Sequence, residues 1–126
     1  MRLLLLIFAF GSMTVAVSAQ DPAQVDAQHT KVEFENAQIR VLRFHLGPKE
    51  HSPMHEHPER VFIFLTDAHT KVTVGDGATE ERSGKAGDVR HRGAEKHAVE
   101  NLASSDYESI IIELKGSAPM AMARRR

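Results

Sequence analysis

From His29 onward, apolar and polar positions alternate in short runs broken by turn residues. Val32 and Phe34 alternate with Lys31, Glu33 and Glu35. Ile39 and Val41 share one phase, while Leu42, Phe44 and Leu46 share the other, and this phase change predicts a β-bulge. Residues 61–65 (VFIFL) are apolar at every position, which predicts a central strand covered on both faces. Residues 71–74 run into Gly75-Asp76-Gly77, a strong hairpin signal, and residues 78–83 return as a solvated strand. Residues 88–91, 98–102 and 107–114 complete the set. About eight to ten closely spaced strands, without an amphipathic helix longer than two turns, predict an all-β sandwich or barrel.

The two ends break this pattern. Residues 1–19 (MRLLLLIFAFGSMTVAVSA) carry Arg2, an apolar run and small residues before Ala19, which predicts a signal peptide cut after Ala19. The expected location is therefore periplasmic or secreted. Gly11, Ser12 and Thr14 interrupt the apolar run, so no stable membrane anchor is expected after cleavage. Residues 20–28 (QDPAQVDAQ) are polar and read as a flexible linker or loosely held arm. Residues 29–116 form the barrel. Residues 117–126, with Pro119 and three terminal arginines, read as a disordered basic tail.

Composition narrows the chemistry. A chain of 126 residues is one domain by size. Its 16 Lys and Arg against 17 Asp and Glu give a net charge of −1, which argues against a nucleic-acid partner. The chain has no cysteine, which excludes disulfides, thiolate–metal sites and cysteine nucleophiles. The sequence also lacks GxSxG, P-loop and GxGxxG patterns. The 8 histidines point instead to metal binding or proton transfer.

Three of those histidines stand in HSPMHEH. In extended backbone His55 and His57, two apart, project to the same face and can converge on one ion. The third ligand must come from elsewhere, and His97 is the candidate. It follows the turn segment GAEK, and glycines at 84, 87 and 93 suit the turns that bring its strand alongside. His91 is a reserve ligand because it alternates with Val89 and can face the interior. His51 reads as a rim residue, His29 as solvated, His45 as a strand residue with local bonds and His69 as a turn residue.

The stretch 47–101 resembles the cupin superfamily. The first cupin motif, G-x5-H-x-H-x3,4-E-x6-G, is echoed by Gly47, His55, His57 and the apolar strand after them. The second, G-x5-P-x-G-x2-H-x3-N, is echoed by Gly87, His97 and Asn101. The segment HEHPERVFIFLTD looks most like a small single-domain group, some of whose members are associated with β-alanine degradation. The resemblance implies a cupin-type jelly-roll β-barrel, a homodimer and a mononuclear metal site. It also implies a glutamate ligand four or five residues beyond the second histidine. Those positions hold Val61 and Phe62, and aligning on the apolar strand puts Arg60 there.

The expected centre is thus one divalent ion, iron, zinc, nickel or copper, on His55, His57 and His97. Glu59 is the nearest carboxylate and, with Arg60 as counter-charge, is the candidate for a catalytic role. A general base pointing inward, Glu59 or Glu113, would favour an enzyme of dioxygenase-like or isomerase-like type. The rival reading is a metal-free pocket that binds or senses a small, acidic molecule without catalysis.

Overall fold

The computed structural model describes residues 20–116. The expected signal peptide at 1–19 and basic tail at 117–126 lie outside the described residues. A short helix, α1 (Pro22–Val25), precedes nine strands. These are β1 (Thr30–Glu35), β2 (Ile39–Leu46), β3 (His55–His57), β4 (Arg60–Phe64) and β5 (Ala68–Val74), followed by β6 (Thr79–Gly84), β7 (Val89–Arg92), β8 (Glu95–Asn101) and β9 (Tyr107–Leu114). They form a five-stranded sheet, β1-β2-β9-β4-β7, and a four-stranded sheet, β3-β8-β5-β6. Every pairing is antiparallel. The all-β expectation is correct.

The two-residue period of each strand sorts its side chains between the interior and the outside. On β2 the inward row is Leu42, Phe44 and Leu46; on β9 it is Tyr107, Ser109, Ile111 and Glu113. With Phe64, Ala68, Val72 and Val99 the apolar members of these rows make the core. Burying one such large side chain is worth about 1.5–3 kcal/mol. The inward rows turn polar on moving along the barrel. Arg60, His55, His57, His97 and Glu113 are all buried there, and they make up the candidate site.

Turn chemistry sets the registers. The Gly75-Asp76-Gly77 hairpin forms as expected: Gly77 takes φ 92°, and Val74 N–H bonds Ala78 O at 2.9 Å. It fixes the pairing of Thr73 with Thr79 and of Ala68 with Gly84. Gly84 is required for another reason, since a Cβ there would overlap the ring of Phe64. The strand at 61–65 is central, between β9 and β7. Its cover is partial, with Val61, Phe62 and Ile63 half-buried and Leu65 exposed.

Three expectations need correction. The bulge lies across from the phase change, in β1: Val32 pairs with Leu42 and Phe34 with Val41, which leaves Glu33 as the extra residue. The register of β2 against β9 runs unbroken. Residues 20–28 are held down instead of forming a flexible linker. Asp21 caps α1 through Ala23 N–H at 2.9 Å and takes both terminal nitrogens of Arg40 at 2.7 and 3.0 Å, and Pro22 and Asp26 are buried. The polar residues that look solvated in sequence are those that cap and pair. His69 lies within β5 and bonds Glu81 at 2.8 Å, so it is not a turn residue.

Candidate metal centre

The segment before β3 is pinned to β8. Ser52 N–H donates to Val99 O at 2.8 Å, and Ser52 Oγ accepts Val99 N–H at 3.0 Å. Asn101 closes the same end. Its amide nitrogen donates to Gly47 O and Ser105 O at 3.0 and 2.8 Å, while its oxygen accepts Ala103 N–H. These contacts fix β3 against β8 with His55 opposite His97 and His57 opposite Glu95. Strand parity then places all three imidazoles on the interior face.

His55, His57 and His97 are 1%, 2% and 6% exposed. Their ring centroids lie 4.7–5.3 Å apart. One ligand nitrogen from each lies within 4.8 Å of the others. Ligands about 2.1 Å from a tetrahedral ion sit about 3.4 Å apart, so the rings would have to draw closer to hold one ion together.

The Nδ1 of each ring faces an oxygen, and in His55 and His57 it is hydrogen-bonded. His55 Nδ1 donates to Pro53 O at 2.8 Å. His57 Nδ1 lies 2.7 Å from Glu113 Oε2. His97 Nδ1 lies 2.9 Å from Glu95 Oε2, off the line of a good hydrogen bond. The carbonyl behind His55 can only accept, so that Nδ1 carries the proton, and the carboxylates beside His57 and His97 favour the same tautomer, which leaves Nε2 its lone pair. A carboxylate behind a ligating histidine is the usual way to fix its tautomer and raise its basicity.

The charge states agree. Burial pushes His55 and His97 down to about 4 and lowers His57, so the rings are neutral at pH 7. Burial alone would raise Glu113, but the contacts with His57 and Arg40 bring it below its usual value. Burial likewise opposes ionisation of Glu95, and contacts with His97, Arg82 and Arg60 overcome it. Arg40 Nε bonds Glu113 Oε1 at 2.7 Å. A chain of contacts thus runs from Asp21 through Arg40 and Glu113 to His57.

The predicted three-histidine set comes together. Arg60, at the alignment position of the cupin glutamate, is buried and donates to Gly93 O at 3.0 Å and Glu95 at 2.7 Å. Among the described residues no carboxylate joins the histidines as a fourth ligand. Two candidates fall outside. Glu59 lies on the surface, bonded to His91 Nε2 at 2.8 Å, so neither it nor the reserve ligand His91 reaches the interior. The cause is parity: Arg60 faces in, so the residue before it faces out. His51 is exposed, as expected of a rim residue. His29 is not solvated; its Nδ1 lies 2.6 Å from Asp26 Oδ1.

The histidines open on a cavity of about 80 Å³. Phe44, Phe62, Phe64, Val72 and Ile111 supply much of its wall, and Arg82, Arg90 and Arg92 reach it as well. Glu95 and the last three arginines have no predicted role in the sequence. Glu95 stands two residues before His97, and that spacing on a strand is the signal that finds it.

The comparisons bear on the fold. No protein-family model matches the chain, and no curated protein matches it. Solved structures do. A cupin domain from Bordetella pertussis superposes with TM-score 0.64 at 19% identity, covering 69% of this chain and 92% of that one. An uncharacterized protein with a double-stranded β-helix domain from Klebsiella pneumoniae gives 0.57 at 19% identity, covering 71% and 78%. A Cupin 2 conserved barrel domain protein from Salinispora arenicola gives 0.53 at 21% identity, covering 70% and 76%. The fold is the cupin double-stranded β-helix, with three buried histidines close enough to bind a metal.

Proposed function

We propose that this chain is a mononuclear metalloprotein that binds a small molecule in its barrel. A divalent transition ion is held by Nε2 of His55, His57 and His97, and the cavity beside it receives the ligand. The observation that carries this reading is the gathering of three buried imidazoles on one interior face, with Nδ1 of His55 and His57 hydrogen-bonded to oxygens and Nδ1 of His97 2.9 Å from Glu95. Three neutral nitrogens suit zinc, iron(II), nickel or copper.

When bound, the ion supplies a Lewis acid at the histidine end of the cavity. The protein residues have separate tasks. Pro53 O, Glu113 and Glu95 orient the imidazoles. Phe62, Phe64, Val72 and Ile111 give part of the cavity an apolar wall. Burial holds the Tyr107 phenol protonated, and this side chain lines the same space. Among the described residues no carboxylate lines the cavity, and the inward Glu113 is already committed to His57 and Arg40. With no free carboxylate among the described lining residues to act as general base, the reading we favour is small-molecule binding. Export is part of the proposal and rests on residues 1–19.

Elemental mass spectrometry of the full chain, purified without a polyhistidine tag, tests the reading. The expected result is about one transition ion per chain, and near zero for His57→Ala with the β-sheet circular dichroism retained. No metal after reconstitution, or a His57→Ala variant that keeps its ion, would overturn it.

A further inference from the structure

The cavity is more basic than a histidine metal site requires. Arg60, Arg82, Arg90 and Arg92 all line it. Parity puts three of them there. On β7, Arg92 is half-buried on the cavity side and Arg90 stands at the cavity rim with its side chain 44% exposed, while Val89, 58% exposed, and His91 face out. Arg60 stands in the inward row of β4 beside Phe62 and Phe64.

The nearby acids do not use all four. Arg60 and Arg82 share one carboxylate, Glu95, at 2.7 and 2.6 Å, and Arg82 also bonds Glu80. Arg90 reaches Asp88 at 3.1 Å and lies over the Phe64 ring, 5.7 Å from its centroid. Half-buried Arg92 has no hydrogen-bond or ion-pair partner among the described residues. It pairs directly across the sheet with Arg60. Like charges opposite one another weaken a sheet, and an anion between them removes that penalty.

A second, independent observation marks the same space. Ser109 Oγ is buried, its residue 1% exposed, and it makes no well-formed hydrogen bond, although the Tyr107 phenol of the same cavity wall lies near it. Ser109 lines the cavity. A buried hydroxyl left unmatched is costly, and a polar ligand atom would satisfy it.

Size and wall chemistry narrow the ligand. At about 80 Å³ the cavity has room for a small molecule beyond a single water. An inorganic anion has no use for the apolar side formed by Val72, Val99 and Ile111. We infer that the cavity binds a small carboxylic acid, its carboxylate on the Arg92 and Arg90 guanidiniums and its carbon body against the apolar wall. The fork of an arginine matches a carboxylate with two parallel hydrogen bonds. The inference deepens the proposed function by naming a ligand class, and it rests on that reading's assignment of this cavity as the ligand site.

Calorimetric titration of malonate into the full chain, both metal-stripped and zinc-loaded, tests it. Saturable binding is expected, while neutral malonamide and inorganic phosphate should bind far more weakly. Arg92→Gln should weaken malonate by about ten- to a hundredfold, and Arg92→Lys should fall between. Metal content, measured on the same samples, should stay unchanged in both variants because Arg92 is no ligand. If Arg92→Gln does not fold, Arg90→Gln and Arg92→Lys carry the same comparison. Undiminished malonate binding in the folded variants, equal binding of malonamide or phosphate, or no binding to the wild type would overturn the inference. Malonate bound by a chain that takes up no metal would sink the metal reading and leave the acid site standing.

Discussion

Glu113 Oε2 lies 2.7 Å from Nδ1 of His57, and both residues are buried. They are far apart in sequence and come from different sheets, β9 and β3. The contact gives one carboxylate two tasks. It holds the imidazole of a proposed metal ligand through one oxygen and takes Arg40 on the other.

Glu113→Gln tests the first task. The amide keeps the shape but removes the charge that raises the basicity of His57. Metal affinity, measured by chelator competition, should fall about ten- to a hundredfold with the fold intact. An unchanged affinity would show that Glu113 only neutralises Arg40.

The metal-free protein should lose stability as pH falls from about 6.5 towards 4. His55 and His97, pushed down to about 4 by burial, bind fewer protons when folded than when unfolded throughout that window. Since the unfolded state holds more protons there, stability rises with pH and is fully present above the unfolded value. Each imidazole contributes up to about 1.4 kcal/mol per pH unit, or roughly 5 °C in Tm. Bound metal competes with those protons, so the zinc-loaded chain should hold its Tm further into acid. Thermal melts at pH 7, 6 and 5, with and without zinc, check both statements. A flat apo profile would contradict the burial of these rings.

Gly84→Ala should destabilise the barrel. The added methyl group overlaps the Phe64 ring, which packs against Tyr107 at 6.0 Å between centroids and cannot move freely. Overpacking of this kind costs about 1–3 kcal/mol, read as a lower midpoint in urea denaturation. Gly93→Ala is the control, because nothing lies within 4 Å of a Cβ there.

The sequence by itself determined the strands, their hairpin and the histidine set. Alternation is local: side-chain direction reverses at every residue, so His55 and His57 had to share a face, and the Gly75-Asp76-Gly77 turn had to join two antiparallel strands. The spacing of His97 after its turn, with the cupin resemblance, was enough to name the third histidine that joins the cluster. Which carboxylates serve the site was decided only in three dimensions. Glu59, nearest in sequence, falls on the outer face by one step of parity, while Glu113 and Glu95 arrive through the pairing of β9 with β4 and of β8 with β3. The four arginines show the same limit. They are scattered over β4, β6 and β7 and become one basic cavity wall only when the sheets close around it. Residues 20–28 are ordinary polar residues until Arg40 and the barrel end give them partners. Local periodicity fixes direction within a strand, whereas long-range pairing decides which directions meet.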